Sequence, residues 1–415
     1  MNHFQRRRGE LSCEDVPLSE LAAEVGTPAY VYSKATLLRH ARVFRSALRG
    51  LDALPCYAVK AAPNLALLSL FAGEGFGFDI VSGGELFRAL QAGGEPGKIV
   101  FSGVGKREEE LVAALQAGVL QINCESEEEL RMLSRVAVAR KTVARVALRV
   151  NPDVDAKTHP YIATALSTSK FGVPAARVRK AYKLAASLPG LSVQGVACHI
   201  GSQIQKVAPF AQAAQKMRQL LLQLREDGHD IRILDMGGGL GVPYGDGPEP
   251  ASPREYGEAL VEALRGLKVQ VLVEPGRLLV ANAGVLLSRV ILRKQGQRGR
   301  NFVVVDAGMN DLLRPALYQA FHEIEPVGRP RRGSEVADVV GPVCESADVL
   351  AKRRTLPPLE AGDLIALRTA GAYGMAMASQ YNARPRPAEV LVDGRSWRII
   401  RQRETYKDLI RGETI

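Results

Sequence analysis

Eight short apolar runs alternate with segments of helical period between residues 55 and 273, and this alternation limits the fold more than any other feature of the chain. The runs lie at residues 55–59, 78–81, 98–101, 119–122, 144–150, 193–200, 231–235 and 268–273. Between most of them, residues 85–92, 107–117, 127–138, 175–188, 210–226 and 254–267 repeat apolar side chains every three to four positions. Two of these segments open with capping boxes, Ser126 with Glu129, and Ser252 with Pro253 and Glu255. Eight strands alternating with helices over roughly 240 residues predict an α/β chain with a (β/α)8 TIM-like barrel. A doubly wound open sheet would call for a Gly-x-Gly-x-x-Gly turn after the first strand, where the chain has Val59-Lys-Ala-Ala-Pro-Asn64.

The flanks differ in texture. Residues 28–33 read as one strand and residues 35–49 as a helix with Leu37, Leu38, Ala41, Phe44 and Leu48 on one side. Beyond Ala283, strands are expected at 284–292, 302–306, 336–340, 363–369, 388–392 and 397–401, the last two flanking the hairpin turn Asp393-Gly394. One helix is expected around 311–321, and residues 328–333 read as a surface loop. The expected organisation is a barrel over 36–282 and a mostly-β domain over 283–415, joined by the N-terminal strand from the segment 1–35.

A composition of 46% hydrophobic and 24% charged residues excludes fibrous and disordered classes for this 415-residue chain. No apolar run approaches the roughly 20 residues of a membrane span, and the basic N-terminus lacks the apolar stretch of a secretory signal. A cytoplasmic protein without membrane contacts is expected. Cys13, Cys56, Cys124, Cys198 and Cys344 are scattered and show no Cys-x-x-Cys spacing, which points to reduced thiols and no metal site. The net charge of +11 comes from Lys and Arg spread along the chain without aromatic interleaving, so no nucleic-acid partner is expected.

In a barrel, catalytic groups come from the C-terminal ends of the strands. Here those ends carry Lys60, Asp79, Asn151, His199, the turn Gly237-Gly-Gly-Leu-Gly241 and Glu274-Pro-Gly-Arg277. A lysine ending a strand is more often a surface amine, but one that loses solvation becomes a nucleophile able to form a Schiff base. Backbone N–H groups of Gly237, Gly238 and Gly239 can close around a phosphate. Amine and phosphate cradle together suggest pyridoxal 5′-phosphate, for which Glu274 would partner the ring nitrogen and His199 would pack on the ring face.

The motifs Tyr57-Ala-Val-Lys-Ala61, Asp79-Ile-Val-Ser-Gly-Gly-Glu-Leu86, Phe101-Ser-Gly-Val-Gly-Lys106, Ser169-Lys-Phe-Gly172, His199-Ile-Gly-Ser-Gln203, Asp235-Met-Gly-Gly-Gly-Leu-Gly241 and Glu274-Pro-Gly-Arg277, in this order, resemble those of diaminopimelate decarboxylases. These are fold-type III pyridoxal-phosphate enzymes that make L-lysine from meso-diaminopimelate. The resemblance implies that Lys60 holds the cofactor, with Asp79, His199, Ser202, Gly237, Gly238, Gly239, Glu274, Gly276, Arg277 and Tyr373 binding it. It also implies a homodimer with active sites at the interface. Gly341-Pro-Val-Cys-Glu-Ser346 matches the segment that supplies a proton donor, Cys344, and an acid for the distal ammonium, Glu345, to the partner's site. Arg314-Pro-Ala-Leu-Tyr318 matches the segment that binds the far carboxylate together with Arg277, and Gly371-Ala-Tyr-Gly374 the one whose tyrosine touches cofactor and substrate. Ornithine- and arginine-type decarboxylases of this fold are the alternative, as is a catalytically silent regulatory homologue. The former handle side chains without the far carboxylate, and the latter would need neither Lys60 nor Cys344. One departure is Thr164-Ala165, where the family usually has Thr-Gly.

Overall fold

The computed structural model describes residues 2–154, 170–245 and 249–415, so the Thr164-Ala165 departure lies outside the described residues. Among these, residues 40–154, 170–242 and 249–278 form one compact unit, and residues 2–39, 243–245 and 279–415 another.

The first unit is a closed parallel barrel. Its strands are β1 (Ala53–Ala58), β2 (Gly77–Ile80), β3 (Ile99–Phe101), β4 (Gln121–Cys124), β5 (Ala144–Asn151), β6 (Leu191–Ala197), β7 (Ile233–Asp235) and β8 (Gln270–Val273). Each pairs with its successor, and β8 returns to β1 with Val271 opposite Ala53, so the ring has no free edge. All eight expected runs are strands; β4, β7 and β8 each begin two residues later than read, at β4 because Val119 N–H still closes the preceding helix on Ala114.

The helices between successive strands are α1 (Leu65–Gly73), α2 (Gly83–Gln91), α3 (Glu108–Ala117), α4 (Glu127–Ala139), α5 (Val178–Ser187), α6 (Ala208–Glu226) and α7 (Pro253–Ala263). Helix α6 buries Phe210, Ala213, Ala214, Met217, Leu221 and Leu224, the i, i+3, i+4, i+7 stripe of a helix lying on a sheet. The Phe210 ring meets Tyr256 of α7 edge-on, with centroids 4.9 Å apart.

Inside the barrel, Cys56, Val100, Ile233 and Leu272 form a buried apolar cluster. Toward the C-terminal ends of the strands the lining turns polar. Asn123 on β4 donates to Asp235 on β7 at 2.8 Å, and because these strands are not neighbours in the sheet, the bond crosses the lumen. Gln121 in turn donates to Asn123 at 2.7 Å.

The capping box at Ser252 forms in both directions, but the one at Ser126 forms only by half. Ser126 Oγ accepts from Glu129 N–H, whereas the Glu129 carboxylate turns instead to Glu125 N–H and to Lys106 Nζ, each at 2.7 Å. A buried cation outbids a helix terminus: the Lys106 side chain is fully buried and also donates to the carbonyls of Gly103 and Asn123. Glu129→Ala would strand that ammonium and is expected to cost about 3–5 kcal/mol. Glu129→Gln should cost less. Urea unfolding of the two variants tests the assignment, which fails if both lie within 1 kcal/mol of wild type, roughly the level of an exposed pair.

In the second unit the strand Ala29–Ser33 sits inside a sheet, antiparallel to Gly284–Gln295 and parallel to Ala388–Asp393. The sheet runs through Val349–Leu356, Glu335–Val340, Asn301–Val305, Gly284–Gln295, Ala29–Ser33, Ala388–Asp393 and Ser396–Arg401. Its last two strands join through Gly394 in the left-handed region, φ +64°. Val31, Val285, Leu287, Ala366, Val390 and Val392 build the core, with Leu11, Leu18 and Leu21 from the N-terminal segment.

Three departures from the sequence reading have local causes. The helix expected over 311–321 shrinks to Arg314–Tyr318, because Pro315 fits the first turn and Gln319 turns left-handed at φ +52°. Strand Val349–Leu356 went unread because Lys352, Arg353 and Arg354 interrupt any apolar alternation. The N-terminal strands Phe4–Arg7, Glu10–Cys13 and Val16–Pro17 are too short to carry a period. Among the described residues no helix is long and apolar enough to cross a membrane.

Candidate active site

Strand β1 ends in a one-turn 3-10 helix, Val59–Ala61, which brings Lys60 to the C-terminal mouth of the barrel. Its Nζ lies 2.6 Å from Asp79 Oδ2. The pairing of Ala58 with Asp79 in the β1–β2 register sets the two side by side. Asp79 is fully buried and its Oδ1 has no partner among the described residues, whereas the Lys60 side chain is 35% exposed and opens to the mouth.

The turn after β7 is built so that backbone can pass where no side chain fits. Gly237 and Gly239 have φ of +66° and +116°, and a Cβ on Gly238 would stand 2.1 Å from the Glu274 carbonyl. Two of its N–H groups are directed inward: Gly237 donates to Asp235 Oδ1 at 2.9 Å and Gly238 to His199 Nδ1 at 3.1 Å. Of the three amides proposed for a phosphate cradle, these two therefore orient side chains.

His199 Nδ1 accepts that hydrogen bond, so the ring proton of the neutral imidazole sits on Nε2. Burial, then the charges of Arg149 and Lys60, push its pKa well below the ordinary imidazole value and keep the ring neutral. Nδ1 also lies 3.9 Å from Glu274 Oε2.

Glu274 leaves β8 into the same mouth, its N–H donating to the Gly237 carbonyl at 2.7 Å. Burial, then the neighbouring Asp235 and Asp79, hold its carboxyl well above the usual range, and it is hydrogen-bonded to Asp235. Asp235 is itself pushed up to about 6 by burial. A hydrogen-bonded pair of buried carboxyls retains a proton that either acid alone in water would lose. The Arg277 guanidinium donates to Ser202 Oγ at 3.0 Å.

Sequence reasoning missed part of this mouth. Asp235, Asn123 and Ser102 form a buried chain behind Glu274, with Asn123 Nδ2 donating to Ser102 Oγ at 3.1 Å. The available signal was polarity inside apolar strands: Gln121 and Asn123 alternate with Ile122 and Cys124. Glu125 accepts from Arg149 at 3.1 Å and from Gly172 N–H at 2.8 Å, tying β4 and β5 to the loop at residues 170–172. Asn151, expected among the groups at the strand ends, serves the same loop by donating to the Phe171 carbonyl at 2.7 Å.

In the β-rich unit, Arg314 and Tyr318 stand four residues apart at the two ends of one helix, on one face. Arg314 is buried, with the Tyr244 ring stacked on its guanidinium at 4.4 Å. Cys344 and Glu345 are exposed on a turn that Asp348 shapes by accepting from the N–H groups of Val343 and Met309. Tyr381 Oη donates to Glu345 at 3.2 Å, and Cys344 N–H to Asn382 at 2.7 Å. Tyr373 adopts φ +56° in the turn Gly371-Ala-Tyr-Gly374, where a Cβ at Gly371 would meet the Val280 carbonyl at 2.1 Å.

Residues 34–281 match the family model described as "Pyridoxal-dependent decarboxylase, pyridoxal binding domain". Over the full length, the chain is 50% identical to the diaminopimelate decarboxylase of Vibrio cholerae serotype O1, covering 99% of this chain and 98% of the relative. It is 50% identical to that of Pseudomonas aeruginosa as well, covering 100% and 99%. The chain belongs to the diaminopimelate decarboxylase family.

Solved diaminopimelate decarboxylases superpose closely. The enzyme from Helicobacter pylori, complexed with L-lysine, matches with a TM-score of 0.91 at 42% identity, over 95% of this chain and 98% of that one. The enzyme from M. jannaschii, in co-complex with L-lysine, matches with a TM-score of 0.95 at 36% identity, over 100% and 99%. The family is pyridoxal-dependent, and the barrel mouth fits that cofactor: a partly exposed amine on a carboxylate whose other oxygen lacks a partner among the described residues, a proton-holding carboxyl, a neutral imidazole and a turn with no room for side chains.

Proposed function

We propose that this chain decarboxylates meso-2,6-diaminopimelate to L-lysine and carbon dioxide, the last step of lysine biosynthesis, with pyridoxal 5′-phosphate held by Lys60. The observation that carries the reading is the Lys60–Asp79 pair, 2.6 Å apart in the same mouth as the buried Glu274–Asp235 carboxyls. When bound, the cofactor supplies an electron-withdrawing ring that accepts the electrons of the broken carbon–carbon bond.

The chain's own residues do the rest. Asp79 steers the Lys60 amine and balances its charge. Glu274 would hold a proton at its carboxyl for the ring nitrogen, and His199, neutral and fixed in one tautomer, would pack on the ring face without adding charge. Gly239, Ser202, Gly276 and Tyr373 complete the cofactor's binding groups. Arg277, Arg314 and Tyr318 receive the far carboxylate and Glu345 the far ammonium, so that one end of a nearly symmetric substrate is fixed and only the other reacts. Cys344 would donate its thiol proton to the carbon that loses carbon dioxide. In a cytoplasmic homodimer, Cys344 and Glu345 would act in the partner subunit's site.

The test is carbon dioxide release by the purified, cofactor-supplemented protein from meso-diaminopimelate and from ornithine. Turnover of the first at least about 10³-fold more efficient than of the second is expected, because ornithine leaves the arginines without a carboxylate. Preference for ornithine, or inertness to both, overturns the reading.

A further inference from the structure

Arg314 is held by a residue that no part of the reaction uses. Its Nη1 lies 2.9 Å from His322 Nε2. A guanidinium has five donors and no acceptor, and it does not lose its proton in a protein, so in this contact Nε2 must offer its lone pair. The other ring nitrogen, Nδ1, lies 2.9 Å from the Arg368 carbonyl oxygen, which can only accept. Nδ1 therefore carries the proton. The two contacts select one neutral tautomer, and an imidazolium would set N–H against N–H beside the guanidinium.

The surroundings hold the ring in place. His322 is fully buried, and its own carbonyl accepts from Arg354 Nη1 at 2.9 Å. Tyr244 meets the imidazole edge-on, with centroids 5.5 Å apart and planes at 80°, while its face covers the Arg314 guanidinium. A neutral imidazole accepts one hydrogen bond from the guanidinium and fixes the side chain without adding negative charge.

We propose that His322 is a positioning residue for substrate binding, which orients the Arg314 guanidinium through the Nε2 lone pair. This rests on the reading of Arg314 as a ligand of that carboxylate. L-Lysine, the product, retains the carboxylate in question, so its affinity reports on the clamp without turnover.

The experiment uses full-length, cofactor-loaded enzyme carrying His322→Leu, His322→Gln or Arg314→Ala, with kcat, KM for meso-diaminopimelate and the inhibition constant of L-lysine as readouts. His322→Leu should raise KM and the lysine constant together by about 10- to 100-fold while kcat changes much less, because a hydrogen bond to a charged group is lost. His322→Gln, whose amide oxygen can take the place of Nε2, should recover most of the loss. If Arg314→Ala raises both constants but His322→Leu does not, the positioning role is wrong and the clamp stands. If Arg314→Ala leaves both unchanged, the clamp reading itself fails. Nitrogen-15 spectra of the wild-type histidines, six in all, make the proposal independent of whether a variant folds: His322 should show an unprotonated Nε2 and a protonated Nδ1, and the opposite pattern overturns it.

Discussion

Lys60→Ala is expected to abolish decarboxylation, lowering kcat by about 10⁴-fold or more, since under the proposed reading it removes the amine that would hold the cofactor. It should also destabilise the barrel. Asp79 is fully buried, with Oδ2 held by the lysine at 2.6 Å and Oδ1 without a partner among the described residues. Removing the ammonium leaves that carboxylate uncompensated, which costs about 1–3 kcal/mol, a figure kept low because the Lys60 side chain is 35% exposed and water can reach the vacated position. Lys60→Arg separates the two losses. A guanidinium can stay beside Asp79 but cannot become a neutral amine, so this variant should recover stability and remain inactive. Urea unfolding, carbon dioxide release and the visible absorbance of the bound cofactor are the measurements. Either variant turning over within tenfold of wild type would remove Lys60 from the reaction.

The barrel was legible because its signal is repeated. Eight apolar runs at regular spacing leave few other ways to bury themselves, and a closed parallel ring uses all of them. The residues at the strand ends were legible for the same reason: Lys60, Asp79, His199 and Glu274 are polar where an apolar run stops. Harder to read was the layer beneath them. Asp235 looked like the opening of a glycine turn, yet it holds Gly237 N–H, Asn123 and Glu274 at once, and nothing in its neighbours along the chain announces contacts made across a lumen. His322 was passed over likewise, lying eight residues from Arg314 and past a helix that ends early at Gln319. Sequence periodicity reports which face of an element is apolar. It does not report which two polar side chains from distant elements will meet behind that face.

Glu274→Gln is expected to lower kcat by about 10²- to 10³-fold, because, if Glu274 partners the ring nitrogen as proposed, an amide in its place can neither hand it a proton nor carry the charge that keeps it there. The same change should make the cofactor-free protein less sensitive to rising pH. In the folded chain burial, then the neighbouring Asp235, hold Glu274 well above the ordinary carboxylate range, and burial raises Asp235 to about 6. Unfolded carboxyls titrate near about 4. Between those values the folded chain binds more protons than the unfolded one, so stability falls as pH rises. The contribution of the pair is complete below about pH 4, declines through about pH 6 as Asp235 titrates, and continues to decline as Glu274 follows. In Glu274→Gln one of the two acids is gone, and Asp235 keeps a hydrogen-bonding neighbour without a competing charge. Urea midpoints measured from pH 4.5 to 8 should therefore fall more gently in the variant than in the wild type, with the variant the more stable at pH 8. Glu85 and Asp311, both pushed up to about 7, contribute the same sign to each protein and cancel in the difference. A variant that loses stability more steeply than wild type would show that Glu274 is ionised in the cofactor-free fold. A stabler but nearly inactive Glu274→Gln would show the reverse: the barrel holds two acids closer than folding alone would choose, and the proton they retain is the one the reaction needs.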